Sequence, residues 1–187
     1  MTEIKLLDET LELIDDNGTI KAYEYLVSNL DSGDEWSSQV YNFLYCLAAT
    51  SGKPDEAISW LKEAIMDKGL WYRPEVFEDD DLDTIRNHID FASCVEISNS
   101  RYKEELKSTM TKFSWKKKIK DNLLVVLHGN QQNNDISKMF WSGFNSSSFQ
   151  IEYLQSSEID SFQLYRWSDD GDGPVQLSDA LRKVEGE

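Results

Sequence analysis

From the start of the chain to about Lys112, apolar residues recur at three- and four-residue steps, the spacing that gathers them on one helical face, and strand-like alternation is rare. Leu6, Leu7, Leu11, Leu13 and Ile14 predict a first amphipathic helix, closed by Asp16-Asn17-Gly18. A second runs from Thr19 to Leu30 on Ile20, Tyr23, Leu26, Val27 and Leu30, with Asp31-Ser32-Gly33-Asp34 as its turn. Ser38 to Gly69 predicts a helical hairpin. Tyr41, Leu44, Leu47 and Ala48 line its first helix up to Ser51-Gly52. Pro54 then opens the second, Asp55 and Glu56 suit its positive end, and Ala57, Leu61, Ala64 and Ile65 point inward. After an aromatic corner at 69–74 and an acidic turn at 78–83, a last helix is expected over Ser98–Phe113 with Tyr102, Leu106, Thr109, Met110 and Phe113 on its inner face.

The period then changes. A basic boundary, Lys116-Lys117-Lys118-Ile119-Lys120, precedes the continuous apolar run Leu123–Leu127, which predicts a strand covered on both faces in an α/β sheet. A helix over Ile136–Phe144, a second strand over Phe149–Ser157 and a helix beginning at Leu177 follow. The expected fold class is therefore a mainly α helical region over 1–114 followed by a partial α/β segment over 115–187.

Charge narrows the partners. With 19 Lys+Arg against 35 Asp+Glu, the net charge is -16, which repels a polyanion, so nucleic acid is not expected as a partner. Cys46 and Cys94 sit in apolar helical pattern and read as reduced core thiols, which together with the absence of a basic-then-apolar leader makes the cytoplasm the expected location. No apolar run approaches the ~20 residues of a membrane span. The acidic runs at 78–83 and 169–173 lack the ligand spacing of a cation loop, and no His/Cys ligand set or phosphate-cradling glycine loop occurs, so neither metal nor cofactor is expected.

Two resemblances give these elements a function. The hairpin is similar to a tetratricopeptide repeat: Tyr41, Leu44, Gly52, Ala57, Leu61 and Ala64 stand at motif positions, although Tyr45, Ala48 and Gly69 depart from it. Leu123 to Asn134, Leu-Leu-Val-Val-Leu-His-Gly-Asn-Gln-Gln-Asn-Asn, resembles the strand and loop that carry oxyanion-hole donors in esterases of the α/β-hydrolase superfamily, and the likeness continues to about residue 185 through Gln155-Ser156-Ser157 and Trp167. It implies an oxyanion loop of His128, Gly129, Asn130 and Gln131. Asn130 or Gln131 would supply the N–H, Gly129 the turn, and His128 would hold the loop.

The same chemistry requires Gly-x-Ser-x-Gly followed by an acid and a histidine. The sequence contains no such elbow, and Ser142 and Ser146–Ser148 read as loop residues. The expectation is the N-terminal portion of a helical-repeat serine esterase, without turnover of its own because it ends before the nucleophile, and self-associating through an incomplete sheet. The alternative is a non-catalytic module whose hairpin binds a peptide or protein partner through Tyr41, Tyr45, Trp60, Trp71 and Tyr72, although helical repeats bury most aromatics at such spacing in their core.

Overall fold

The computed structural model describes residues 2–30, 35–144 and 148–186. The expected turn at 31–34 and the candidate loop serines Ser146 and Ser147 lie outside the described residues. The chain divides into two compact units, Met1–Glu104 and Glu105–Glu187.

The first unit is helical. Helix α1 (Glu3–Asn17) starts under the Thr2 hydroxyl and passes into α2 (Thr19–Ser28) through Gly18 alone, whose φ of 83° excludes most side chains. Ser37 caps α3 (Ser38–Thr50). That helix closes with Gly52 at φ 74° and a Lys53 N–H to Ala48 carbonyl bond, the six-to-one closure typical of a glycine stop. Pro54 then opens α4 (Pro54–Lys62), as its fixed φ and missing N–H allow. From Glu63 to Asp67 the helix widens to a π turn. The extra residue carries into the stop, where the Leu70 N–H reaches back six residues to the Ala64 carbonyl and the Arg101 guanidinium donates to the Ile65 and Leu70 carbonyls.

Leu6, Tyr23, Leu26, Leu44, Leu61, Ile65, Leu82 and Ile85 fill one core. An edge-to-face series of rings, Tyr45–Tyr72 at 5.7 Å, Tyr72–Phe77 at 6.0 Å and Phe77–Phe91 at 6.2 Å, runs through it. Short 3-10 turns at Pro74–Glu78 and Asp80–Leu82 form the acidic corner, where Asp79 accepts the Asp81 N–H. Cys94 is buried and its thiol is pushed up to about 11 by desolvation; Cys46 is shifted upward for the same reason, and neither is in a disulfide.

The expected last helix is displaced. Helix α5 spans Ile89–Glu105, and the residues assigned to its end instead form strand β1, Lys112–Phe113. Thr109 and Thr111 are poor helix formers, and a neighbouring strand offers Lys112 and Phe113 ladder partners instead.

The second unit is built on that neighbour. Strand β2 (Asn122–Leu127) leads through α6 (Asn134–Trp141) to β3 (Phe149–Gln155), and β2 and β3 pair in parallel from Asn122↔Phe149 to Leu127↔Leu154. β1 pairs antiparallel with β3, so the order is β1-β3-β2. β4 (Ile159–Ser161) and β5 (Leu164–Tyr165) form a short hairpin before α7 (Gly173–Glu185). The coverage of β2 on both faces does not hold. As an edge strand it buries only Val126, and Leu127 is 42% exposed.

Candidate functional site

The parallel strands β2 and β3 end side by side, and the segment His128–Asn133 crosses their carboxyl ends, where open α/β sheets hold ligands. Three elements fix it. Asn133 caps α6 by accepting the Asp135 and Ile136 N–H groups, both at 2.9 Å. Gln132 and Tyr165 exchange backbone bonds, so the loop is tied to β5. The buried His128 imidazole supplies the third tie.

His128 has one satisfactory protonation state. The Ser156 N–H lies 3.1 Å from Nε2, which must therefore be the unprotonated acceptor. The ring proton then sits on Nδ1 and donates to the Gly129 carbonyl at 2.6 Å. Desolvation holds the imidazole below its usual pKa, with the Gly129 bond a smaller opposing effect. Trp167 stacks on the ring at 5.1 Å and 26° and donates from Nε1 to the His128 carbonyl at 2.9 Å.

This geometry orients one peptide unit. The Gly129–Asn130 peptide is planar and trans, so its N–H points opposite to its C=O. With the carbonyl turned back onto buried His128, the Asn130 N–H points away from the ring and has no acceptor among the described residues. The Asn130 side chain is spent elsewhere: its Oδ1 accepts the Trp167 N–H at 2.8 Å.

Gly129 and Gln131 complete the loop. The residue at positive φ is Gln131, at φ 56°, and not Gly129. A Cβ on Gly129 would lie 3.0 Å from Gln132 Oε1, the acceptor of the Gly129 N–H, so that side chain would have to give by a few tenths of an ångström. A non-glycine residue held at positive φ stores local strain of roughly 1 kcal/mol, and such residues concentrate at ligand sites.

The helical unit places the five groove aromatics otherwise than the interaction reading requires. Tyr41, Tyr45, Trp71 and Tyr72 are all at most 5% exposed, and Trp60 is partly buried against the same core. Their polar tips are met internally: Tyr72 donates to the Ser38 carbonyl, Tyr41 to Glu63, and Trp60 to the Tyr23 hydroxyl, while Asn42 donates to the Tyr45 hydroxyl. With Tyr45 and Tyr72 packed edge-to-face and these polar tips met inside the unit, the aromatics line a core and not an open groove.

Among the described residues no group of three or more His, Cys, Asp or Glu side chains is arranged to hold a metal, and no helix is long and apolar enough to cross a membrane. Ser142, at the end of α6, donates to the Met139 carbonyl. The contacts of Trp167 were not foreseen from the sequence. They join residues 37 and 39 positions apart, beyond any local pattern.

Comparison with known proteins places the family signature in the helical unit. The model of the A/B hydrolase-like, N-terminal domain family matches residues 2–106. The sequence likeness to hydrolases had pointed instead to residues 120–185. A 2.75 Å crystal structure of an uncharacterized protein from Bacillus cereus ATCC 10987 is 31% identical, with a TM-score of 0.57 over 98% of this chain and 60% of that one. The chain thus spans about three-fifths of the length of that solved protein. No curated protein matches it. With more than half of its residues covered by the family model, the chain belongs to the A/B hydrolase-like N-terminal domain family.

Proposed function

We propose that this chain contributes the oxyanion-binding part of a carboxylic-ester serine hydrolase and does not turn over esters by itself. One observation carries the reading: the Gly129–Asn130 peptide is held by its carbonyl on buried His128, leaving the Asn130 N–H pointing out at the carboxyl ends of two parallel strands. Acyl transfer needs such a donor fixed before negative charge develops on the carbonyl oxygen. The sequence has no Gly-x-Ser-x-Gly elbow to deliver a nucleophile to it.

In this reading α3 and α4 form one tetratricopeptide-like hairpin, supported by the full burial of Ala57, Leu61 and Ala64. A peptide-binding role for that hairpin has no observation in its favour, since its aromatics are core.

Two measurements test the proposal. The isolated 187-residue chain should leave p-nitrophenyl esters unhydrolysed; turnover that survives purification to homogeneity would sink it. Joined to the part of the Bacillus cereus protein outside the match, the chain should gain esterase activity, and Asn130→Pro, which deletes the N–H, should then lower kcat by about 10²–10³-fold.

A further inference from the structure

We infer that Trp167 is the positioning residue of the candidate oxyanion loop, an inference that rests on the proposed role of the Asn130 N–H. Three separate contacts converge from this one residue. Its Nε1–H holds the His128 carbonyl, its backbone N–H holds the Asn130 side chain, and its ring covers the His128 imidazole that grips the Gly129 carbonyl. The carbonyls of residues 128 and 129 and the side chain of residue 130 are thereby all restrained. The N–H between the last two is left one direction to point.

Trp167 is itself braced. Glu158 accepts from both the N–H and the hydroxyl of Ser168, and its own carbonyl accepts the Arg166 N–H at 2.9 Å. Gly173 lets the indole sit close, since a Cβ there would fall 3.1 Å from the Trp167 ring. The loop is thus set by a segment far along the chain as well as by the strand it follows. Removing the indole should loosen the loop without unmaking the sheet, because no ladder bond of β2 or β3 involves Trp167.

The test is 15N relaxation of the 187-residue chain with Trp167→Phe and Trp167→Ala, reading the order parameter of the Asn130 N–H against those of β3. Trp167→Phe keeps a six-membered ring and the backbone N–H while deleting the indole donor and the ring that carries it. In the unsubstituted chain the Asn130 order parameter should be near the rigid value of about 0.85, fall measurably in Trp167→Phe, and drop below about 0.6 in Trp167→Ala, with β3 unchanged. The 15N shifts of the His128 ring should move in parallel from one tautomer toward an average.

An Asn130 order parameter that stays at its starting value in both variants overturns the inference, as does one already below about 0.6 without substitution. Should Trp167→Ala lose the β3 signals, Trp167→Phe decides alone: a fall confined to the loop supports the role and no fall refutes it. No ester enters this experiment. Its failure therefore leaves the hydrolase reading to the activity assays, and its success does not presuppose them.

Discussion

Acidification should unlock the candidate loop through His128, and the structure gives the sign and the size. Adding a proton to Nε2 would set two donors face to face across 3.1 Å, the imidazolium N–H and the Ser156 N–H. The buried amide loses its acceptor, which costs about 1–3 kcal/mol. Because burial lowers the folded-state pKa, the unfolded chain protonates first as pH drops. The contribution of His128 is thus fully present above about pH 6.5 and declines from there until the folded-state pKa is reached, with a slope of at most about 1.4 kcal/mol per pH unit. Urea unfolding of the second unit at several pH values between 5 and 8, with His128→Gln alongside, isolates this group from His88. The reasoning fails if the two proteins show the same slope. It fails equally if the His128 ring titrates at or above the ordinary histidine value by NMR.

Three further outcomes follow from packing and pairing. Ser98→Ala should destabilise the helical unit by about 1–3 kcal/mol in chemical denaturation, because the buried Ser98 hydroxyl accepts the Tyr72 N–H at 2.8 Å and donates to the carbonyl of the same residue. Gly171→Ala should weaken the bracing of Trp167, since its Cβ would fall 2.1 Å from Glu158 Oε1; a thermal scan in which this variant melts with the parent chain would contradict that. We also propose that the chain self-associates along the free edge of β2, in a unit whose 12 acidic and ten basic residues leave little net charge to resist pairing. Leu127→Lys should shift sedimentation toward monomer, and a concentration-independent monomer before substitution would refute the proposal.

What was legible in the sequence was what short-range chemistry decides. Gly18, Gly52 and Pro54 mark helix boundaries because the backbone there tolerates few other residues, and the period of α1 to α4 follows from the stripe each helix buries. The end of the last helix was not legible, because whether Lys112 and Phe113 join a strand depends on β3, some 40 residues onward. The burial of Tyr41, Tyr45, Trp71 and Tyr72 was partly legible, since helical repeats bury most aromatics at such spacing, yet a groove stays open as a reading until their neighbours are known. The left-handed residue of the loop was not legible either, since nothing in its sequence marks Gln131, at φ 56°, over its neighbours.

The π turn at Glu63–Asp67 also carries information about chain length. One surplus residue is accommodated there without breaking the helix, so Ala64 and Ile65 keep their place in the core while the slack is taken up in the turn and in the six-residue reach of Leu70. A relative one residue shorter at this point would close the turn to an ordinary α-helix and keep the faces before and after it in phase, whereas the same deletion in a helix without a π turn would rotate them by about 100°. Such a deletion would be nearly silent in packing, and relatives that carry it should keep the same residue types at the positions facing α4.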